Sequence, residues 1–103
     1  MPGFSFVAKR SEIPEGSGLC VEAGGKRIAL FRVGDAVCPI DDSCPHADGP
    51  LSEGSLEGDV VECPWHGSRF NVRTGAVLTP PASQAVATYA VRVSGGEIEV
   101  ELA

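Results

Sequence analysis

The sequence predicts an all-β fold, a small antiparallel β-sandwich or partly open barrel, from three features of its residue pattern. Thirteen glycines and eight prolines leave few windows in which a helix could run. The segment KRIALFRV is followed by Gly34-Asp35 and then AVCPI, which is typical of two strands joined by a tight hairpin turn. Near the C-terminus, apolar residues alternate with acidic ones beyond an SGG turn, as expected for a hairpin with one solvated face.

The predicted elements follow one another as short strands joined by turns. In chain order, the strands are predicted at residues 4–8, 18–22, 26–33, 36–40, 59–62, 68–72, 89–93 and 97–102. Only the segments SEIPEG and GPLSEG indicate a helical turn. The stretch from Asp41 to Gly75 interrupts the regular strand spacing. The sequence therefore predicts one domain over residues 1–103 with a two-loop insertion at about 41–75.

Size and charge exclude several functional classes. A chain of 103 residues forms a single domain, and no apolar run approaches the roughly 18 residues that a membrane-spanning helix needs. The start, MPGFSFVAKR, lacks the long apolar segment of a secretory signal, which predicts a cytoplasmic protein, unless a leader has already been removed. The net charge of −6 disfavours binding to nucleic acid.

Two pairs of cysteine and histidine are the candidate metal-binding residues. The chain has only two histidines, and each lies close to a cysteine, in Cys44-Pro45-His46 and in Cys63-Pro64-Trp65-His66. Thiolate and imidazole groups are metal ligands, and both pairs fall in the predicted two-loop insertion. Cys44, His46, Cys63 and His66 are therefore the predicted ligands of one metal site.

The other two cysteines lie in apolar, strand-like runs. We interpret Cys20 and Cys38 as buried free thiols. A Cys20–Cys38 disulfide is the alternative, and it would be unusual in a reducing cytoplasm.

A structural zinc site is the first alternative for the four predicted ligands. Zinc fingers typically place two cysteines close together and two histidines close together. Here each loop is mixed, the first spacing is Cys-x-His, and the sixteen residues between His46 and Cys63 lack the helix of a finger. This spacing disfavours zinc.

The spacing Cys-x-His, sixteen residues and Cys-x₂-His resembles the ligand set of the Rieske [2Fe–2S] family. The resemblance implies one cluster per chain, with Cys44 and Cys63 on one iron and His46 and His66 on the other. Because two neutral imidazoles replace two thiolates, such a cluster is less negative and easier to reduce. Rieske centres span roughly −150 to +300 mV, against about −400 mV for plant-type clusters.

The resemblance also assigns roles to neighbouring residues. High-potential members carry an extra cysteine in each loop, joined by a disulfide, where this chain has Gly49 and Trp65. Ser68 matches a serine that hydrogen-bonds to sulfur in those members, whereas Phe70 replaces a tyrosine that does the same. The resemblance thus implies that one of these two hydrogen bonds is kept and that the disulfide is absent.

Further residues have two interpretations. Gly49 and Gly67 are expected to let backbone N–H groups approach the sulfides. Trp65 either shields the cluster from water or packs against the sheet. Pro80-Pro81 resembles the proline loop that covers the cluster in this family, or is a plain turn.

The acidic residues are concentrated around the first loop. Half of the fourteen acids fall between residues 41 and 62, where there is no lysine or arginine. They form either a solvated loop face or a docking surface for a basic partner, and their position beside the candidate site favours docking. These acids are Asp41, Asp42, Asp48, Glu53, Glu57, Asp59 and Glu62.

The resemblance implies an electron carrier and not an enzyme. With both histidines assigned to the cluster, no two-histidine, one-carboxylate iron site can be built, and no glycine-rich phosphate loop is present. The stretch 41–75 is similar to the small Rieske ferredoxins of ring-hydroxylating dioxygenase systems. Those proteins carry electrons from a flavin-dependent reductase to a terminal oxygenase. The similarity implies a monomer that docks transiently near the histidine side of its cluster.

Two other functions compete with this interpretation. One is a Rieske-type small subunit of a larger oxidoreductase, such as an assimilatory nitrite reductase. The other is a redox-responsive or metal-responsive binding module that passes no electrons.

Overall fold

The computed structural model describes residues 3–43, 49–65, 67–79 and 84–101, and these residues are almost entirely in strands and turns. The strands in these ranges are β1 (Phe4–Lys9), β2 (Gly18–Ala23), β3 (Lys26–Val33), β4 (Ala36–Asp41), β5 (Ser55–Glu57), β6 (Val60–Glu62), β7 (Arg69–Asn71), β8 (Val77–Thr79), β9 (Val91–Ser94) and β10 (Glu97–Glu101). Two single-turn 3₁₀ helices, Arg10–Glu12 and Leu51–Glu53, lie where SEIPEG and GPLSEG predicted helical turns. No helix in the described ranges has the length and apolar character needed to cross a membrane.

The strands form three antiparallel sheets, which confirms the predicted all-β class. The terminal sheet has the order β1-β10-β9, the middle sheet β2-β3-β4, and the loop sheet β5-β6-β7-β8. The two ends of the described chain therefore meet in one sheet, and the segment between β4 and β9 provides another. The loop sheet is the part of the fold that carries the second candidate loop.

Both predicted hairpins are present. Strands β3 and β4 pair from Val33 opposite Ala36, across the Gly34-Asp35 turn. Strands β9 and β10 turn through Gly95 and Gly96, whose φ angles of 59° and 81° are the positive values that this type of turn requires. Strand β9 begins at Val91, two residues later than predicted. The preceding Thr88 and Tyr89 bond to β4 instead, through an Ile40–Thr88 bridge and a hydrogen bond from the Tyr89 N–H to the Pro39 carbonyl oxygen.

The sequence prediction missed two strands of the loop sheet. Residues 59–62 were expected to form one strand, but Gly58 and Asp59 are a turn, and β5 precedes them. Strand β8 was not predicted at all. Gly58-Asp59 repeats the dipeptide of the β3–β4 turn, so the signal for the β5–β6 hairpin was present in the sequence.

The middle sheet lies between two hydrophobic cores. Residues Ile28–Phe31 of β3 are all fully buried. The second and fourth of these side chains pack in one core with Val61 and Phe70 of the loop sheet. The first and third pack in the other core with Ile98 and Val100 of the terminal sheet. Burial on both faces explains why the centre of β3, Ile28–Phe31, is apolar throughout and does not alternate with polar residues.

Tyr89 connects the end of β4 to the segment before β9, and it makes the stability of the fold depend on pH. Its hydroxyl donates a hydrogen bond to Asp41 Oδ1. Burial, together with this hydrogen bond and the Asp41 charge, raises the pKa of the Tyr89 phenol from 10 to about 12. The folded state therefore binds a proton that the unfolded state loses. This contribution to stability is complete below pH 10 and is lost as the pH rises towards 12.

We expect the thermal unfolding midpoint to fall more steeply between pH 10 and pH 12 in the natural protein than in Tyr89→Phe. Tyr89 is the only tyrosine, so the absorption difference between the two proteins reports its phenolate alone. A phenolate that forms at the pKa of free tyrosine would contradict the expectation, as would parallel stability curves for the two proteins.

Candidate metal centre

The first candidate loop is closed at its base by the residues that flank it. Ser43 and Pro50 form an antiparallel bridge, and the Leu51 N–H donates to the Asp42 carbonyl oxygen at 2.7 Å. Cys44 and His46, the predicted ligands of this loop, lie outside the described residues. The described residues that flank this loop therefore hold its two ends together.

The second candidate loop begins directly after β6 and is also closed by backbone hydrogen bonds. The Cys63 N–H donates to the Ser68 carbonyl oxygen at 2.7 Å, and the Gly67 N–H donates to the Cys63 carbonyl oxygen at 3.1 Å. Gly67 has a φ of 78°, a conformation that favours glycine. The expectation that Gly67 lets backbone N–H groups approach the sulfides stays a prediction. His66 lies outside the described residues.

The two loops meet where Gly49 lies against Cys63. A Cβ atom added to Gly49 would be 2.8 Å from Cys63 Sγ and 3.2 Å from Cγ and Cδ2 of Trp65. Gly49 is buried, and Cys63 is only 1% exposed. The end of the first loop can therefore approach the sulfur only because residue 49 has no side chain. The contacts with Cys63 and Trp65 were not predicted, and the expected approach of backbone N–H groups to the sulfides stays a prediction.

These contacts fit a cluster held between two loops. The Cys63 sulfur is directed at the end of the segment that carries Cys44 and His46, and Cys63 itself is shielded from solvent. A buried thiol that faces a second ligand-bearing segment is the donor arrangement that an iron–sulfur cluster needs. Of the four predicted ligands, the structure describes Cys63 alone.

Trp65 lies on the surface beside the loop contact. It is 58% exposed, so the interpretation that it packs against a sheet is wrong. Its ring covers Gly49. Pro80-Pro81, the other predicted cover of the cluster, lies outside the described residues.

Ser68 and Phe70 follow the second loop, and both are fully buried. Phe70 packs in the core between the middle and loop sheets. The hydrogen bond from Ser68 to a cluster sulfur, implied by the resemblance, stays a prediction.

Cys20 and Cys38 are both free thiols, as predicted. Cys38 is buried, whereas Cys20 on β2 is only half-buried, so the prediction of burial is wrong in part for Cys20. Burial raises the pKa of both thiols above the usual value of 9.0, and both therefore stay protonated near neutral pH.

The acidic residues around the first loop are not equally available for docking. Asp42 is only 1% exposed and forms part of the interior. Glu62 is paired with Arg69 at 3.1 Å, and Asp59 with Arg73 at 3.8 Å. The expectation of a docking surface that includes every acid of this region is therefore wrong for Asp42.

Two exposed acids of this region remain. Glu53 and Glu57 are exposed and have no ion-pair partner within the described ranges. Asp48 lies outside the described residues. We use the name acidic surface for Glu53 and Glu57.

Asp42 was missed as a functional candidate because its neighbours in the sequence suggested a solvated acid. Its Oδ1 accepts a hydrogen bond from the Ser52 N–H at 2.8 Å. Its Oδ2 lies 3.3 Å from Arg27 Nη2 and accepts a hydrogen bond from the Cys20 thiol at 3.6 Å. All three partners are distant in sequence, so no local pattern identifies this cluster.

Comparison with known proteins agrees with the loop geometry. The family model described as the Rieske [2Fe–2S] domain matches residues 3–90. The ferredoxin component of a naphthalene 1,2-dioxygenase system from Pseudomonas aeruginosa is 41% identical over 91 residues, which are 88% of each chain. The 3-phenylpropionate/cinnamic acid dioxygenase ferredoxin subunit of Shigella flexneri is 42% identical over 98 residues, 94% of this chain and 92% of that one.

Solved structures share the fold. A ferredoxin and oxygenase complex of carbazole 1,9a-dioxygenase contains a chain that is 37% identical, with a TM-score of 0.89, over 95% of this chain and 92% of that one. A putative NADH-dependent nitrite reductase small subunit from Mycobacterium tuberculosis has a TM-score of 0.87 over 100% and 97% of the two chains. At 24% identity, that likeness is one of fold alone.

Proposed function

Because the chain belongs to the Rieske [2Fe–2S] domain family, we propose that it is the ferredoxin of a ring-hydroxylating dioxygenase system. Like its ferredoxin relatives, it is an electron-transfer protein and not an enzyme. The observation that carries the proposal is the contact of Gly49 with the Cys63 sulfur, which joins the two predicted ligand loops. When bound, a [2Fe–2S] cluster accepts and releases one electron at a time.

We propose that Cys44, His46, Cys63 and His66 hold one cluster per chain. Cys63 supports this assignment directly, because its sulfur is buried at the loop contact. The bonds between the described residues that flank Cys44, His46 and His66 also support the assignment, because they close both loops at their bases. We further propose that residues 1–103 are a single domain and that about 41–75 are its cluster-binding part.

We propose that electrons arrive from a flavin-dependent reductase and leave to a terminal oxygenase. A solved relative is a ferredoxin in complex with an oxygenase, which supports the second partner. The docking site proposed for both is the surface around Trp65 and the adjacent His66. Trp65 supports it, because a large exposed aromatic side chain beside a buried thiol is a typical interface residue. The chain is proposed to act as a cytoplasmic monomer.

The acidic surface is proposed to steer these encounters. Charged groups at the rim of an interface mainly accelerate association, and salt screens them. Raising the ionic strength from 0.1 M to 1 M shortens the Debye length from about 10 Å to about 3 Å. We therefore expect the second-order rate of electron transfer to the oxygenase to fall by about tenfold or more over this range.

The experiment mixes dithionite-reduced protein with the oxygenase component of a naphthalene dioxygenase system and follows reoxidation by stopped flow. Replacing Glu53 and Glu57 by glutamine should weaken the salt dependence. Glu97→Gln, an exposed glutamate of the terminal sheet, is the matched control and should leave it unchanged. A rate that is insensitive to salt would remove the acidic surface from the proposal.

The same sample distinguishes the competing functions. A ferredoxin elutes as a monomer and is reoxidised at each encounter with its oxygenase. A subunit of a larger oxidoreductase would instead remain bound to a large partner through chromatography. A binding module would not be reoxidised by the oxygenase at all.

A further inference from the structure

Asp42 is a buried carboxylate that the proposed ligand set does not use. It is 1% exposed, follows the last residue of β4, and lies two positions before Cys44. A carboxylate is costly to bury unless hydrogen bonds and an opposite charge compensate it. The contacts that compensate the burial of Asp42 therefore indicate which parts of the fold it connects.

The side chain joins the two ends of the first ligand loop. Asp42 precedes the loop, and its Oδ1 accepts the Ser52 N–H, which follows the loop, at 2.8 Å. This bond spans ten positions of the sequence. It acts beside the Ser43–Pro50 bridge, so two independent links close the segment that contains Cys44 and His46.

The other carboxylate oxygen connects the loop to the middle sheet. Asp42 Oδ2 lies 3.3 Å from Nη2 of Arg27 on β3, and it accepts a hydrogen bond from the thiol of Cys20 on β2. Burial keeps this thiol protonated and able to donate. The Arg27 side chain is 58% exposed, so the ion pair lies at the edge of the interior.

The backbone of Asp42 makes the same two connections. Its N–H donates to the Arg27 carbonyl oxygen at 3.1 Å, and its carbonyl oxygen accepts the Leu51 N–H at 2.7 Å. Main chain and side chain thus bind both the scaffold and the far end of the loop. A residue with these contacts sets where the loop leaves the sheet and where it returns.

We propose that Asp42 is a positioning residue, which fixes both ends of the first ligand loop relative to the middle sheet. This inference rests on the proposed function, since it assumes that the loop carries two ligands of a cluster. Replacing a residue that orients metal ligands without binding the metal itself typically lowers the metal affinity by about 10–100-fold.

The test measures the rate at which the purified, cluster-loaded protein releases iron to a chelator, well below its unfolding temperature. We expect Asp42→Ala to release iron about 10–100 times faster than the natural protein. Asp42→Asn keeps an acceptor oxygen for the Ser52 N–H and should recover most of the retention. Asp41→Asn removes the same charge one residue away, without touching the far end of the loop, and should release iron at the natural rate.

A purely structural role is tested by a variant with a comparable loss of stability elsewhere. Val100→Ala leaves a cavity in the core on the terminal-sheet side, away from the loops, and should lower the unfolding midpoint without speeding iron release. If Asp42→Ala does not fold, Ser52→Pro removes the N–H donor and leaves the carboxylate in place, and it should also release iron faster.

Two results would overturn the proposal. One is release from Asp42→Ala, or from Ser52→Pro if Asp42→Ala does not fold, at the natural rate. The other is equally fast release from Val100→Ala, which would assign the effect to global stability. The cluster content of the natural protein distinguishes a failure of this inference from a failure of the proposed function. If it carries no cluster at all, the proposed function fails, whereas a stable cluster that is indifferent to Asp42 contradicts only the positioning role.

Discussion

Cys63→Ser is expected to abolish the visible absorption and the reduced-state EPR signal of the protein, and with them its electron transfer. Cys63 is 1% exposed, and its sulfur lies at the contact between the two loops. A serine hydroxyl is a hard, weakly acidic donor and binds the iron of a cluster much more weakly than a thiolate does. We expect the rate of electron transfer to the oxygenase to fall by more than about 100-fold. This loss exceeds the range that is typical when a residue that only orients a metal ligand is replaced.

Cys38→Ala is the matched control for this substitution. Cys38 is also a buried free cysteine, and it packs in the same core as Cys63. Its loss removes packing but no proposed ligand, so the absorption and EPR signals should be retained. The rhombic signal with a low average g value, expected of mixed cysteine and histidine ligation, is the diagnostic measurement on the dithionite-reduced protein. A coloured Cys63→Ser protein with that signal would contradict the assignment of Cys63.

Gly49→Ala is expected to force the two loops apart. The added methyl group would lie 2.8 Å from Cys63 Sγ, closer than side-chain carbons approach other atoms in folded proteins. Trp65 can rotate towards solvent because it is exposed, but the buried sulfur has no such freedom. Overpacking of this kind costs about 1–3 kcal/mol. We expect a lower midpoint in denaturant and a smaller ratio of visible to protein absorption as purified.

Gly3→Ala provides the control for the general effect of replacing glycine. A Cβ at Gly3 meets nothing within 4 Å, so this variant should match the natural protein in stability and colour. Full cluster content and unchanged stability in Gly49→Ala would show that the loops do not need this close approach.

The hairpins were predictable because their signals are local. Gly34-Asp35 and Gly95-Gly96 specify their turns within two residues, and the flanking strands are long enough to show their apolar pattern. Strands β5 and β8 have three residues each, too few for a period to emerge. The only local signal for either strand was the Gly58-Asp59 turn between β5 and β6, and both strands lie at the edges of the loop sheet.

The candidate site was predictable only in its ligand types and spacing. Cys63 could be placed at the end of a strand from the sequence alone, and the structure agrees. The roles of Gly49 and Asp42 depend on atoms that meet only in three dimensions, namely the Cys63 sulfur and the Ser52 N–H. For Trp65 the sequence left two interpretations open, shielding of the cluster or packing against the sheet, and its exposure could be read only from the structure.

The two cores on opposite faces of β3 differ in whether they include residues of the loop sheet, and this difference has a consequence for how the protein acquires iron. The core beneath the terminal sheet is built from both ends of the sequence and includes no residue of the loop sheet. Native proteins open locally in cooperative units, which often coincide with supersecondary motifs and differ in their opening free energy. The three-residue strands of the loop sheet are such a unit. We therefore expect iron and sulfide to reach the loops on a scaffold that is already folded, and the amide hydrogens of the loop sheet to exchange before those of β3.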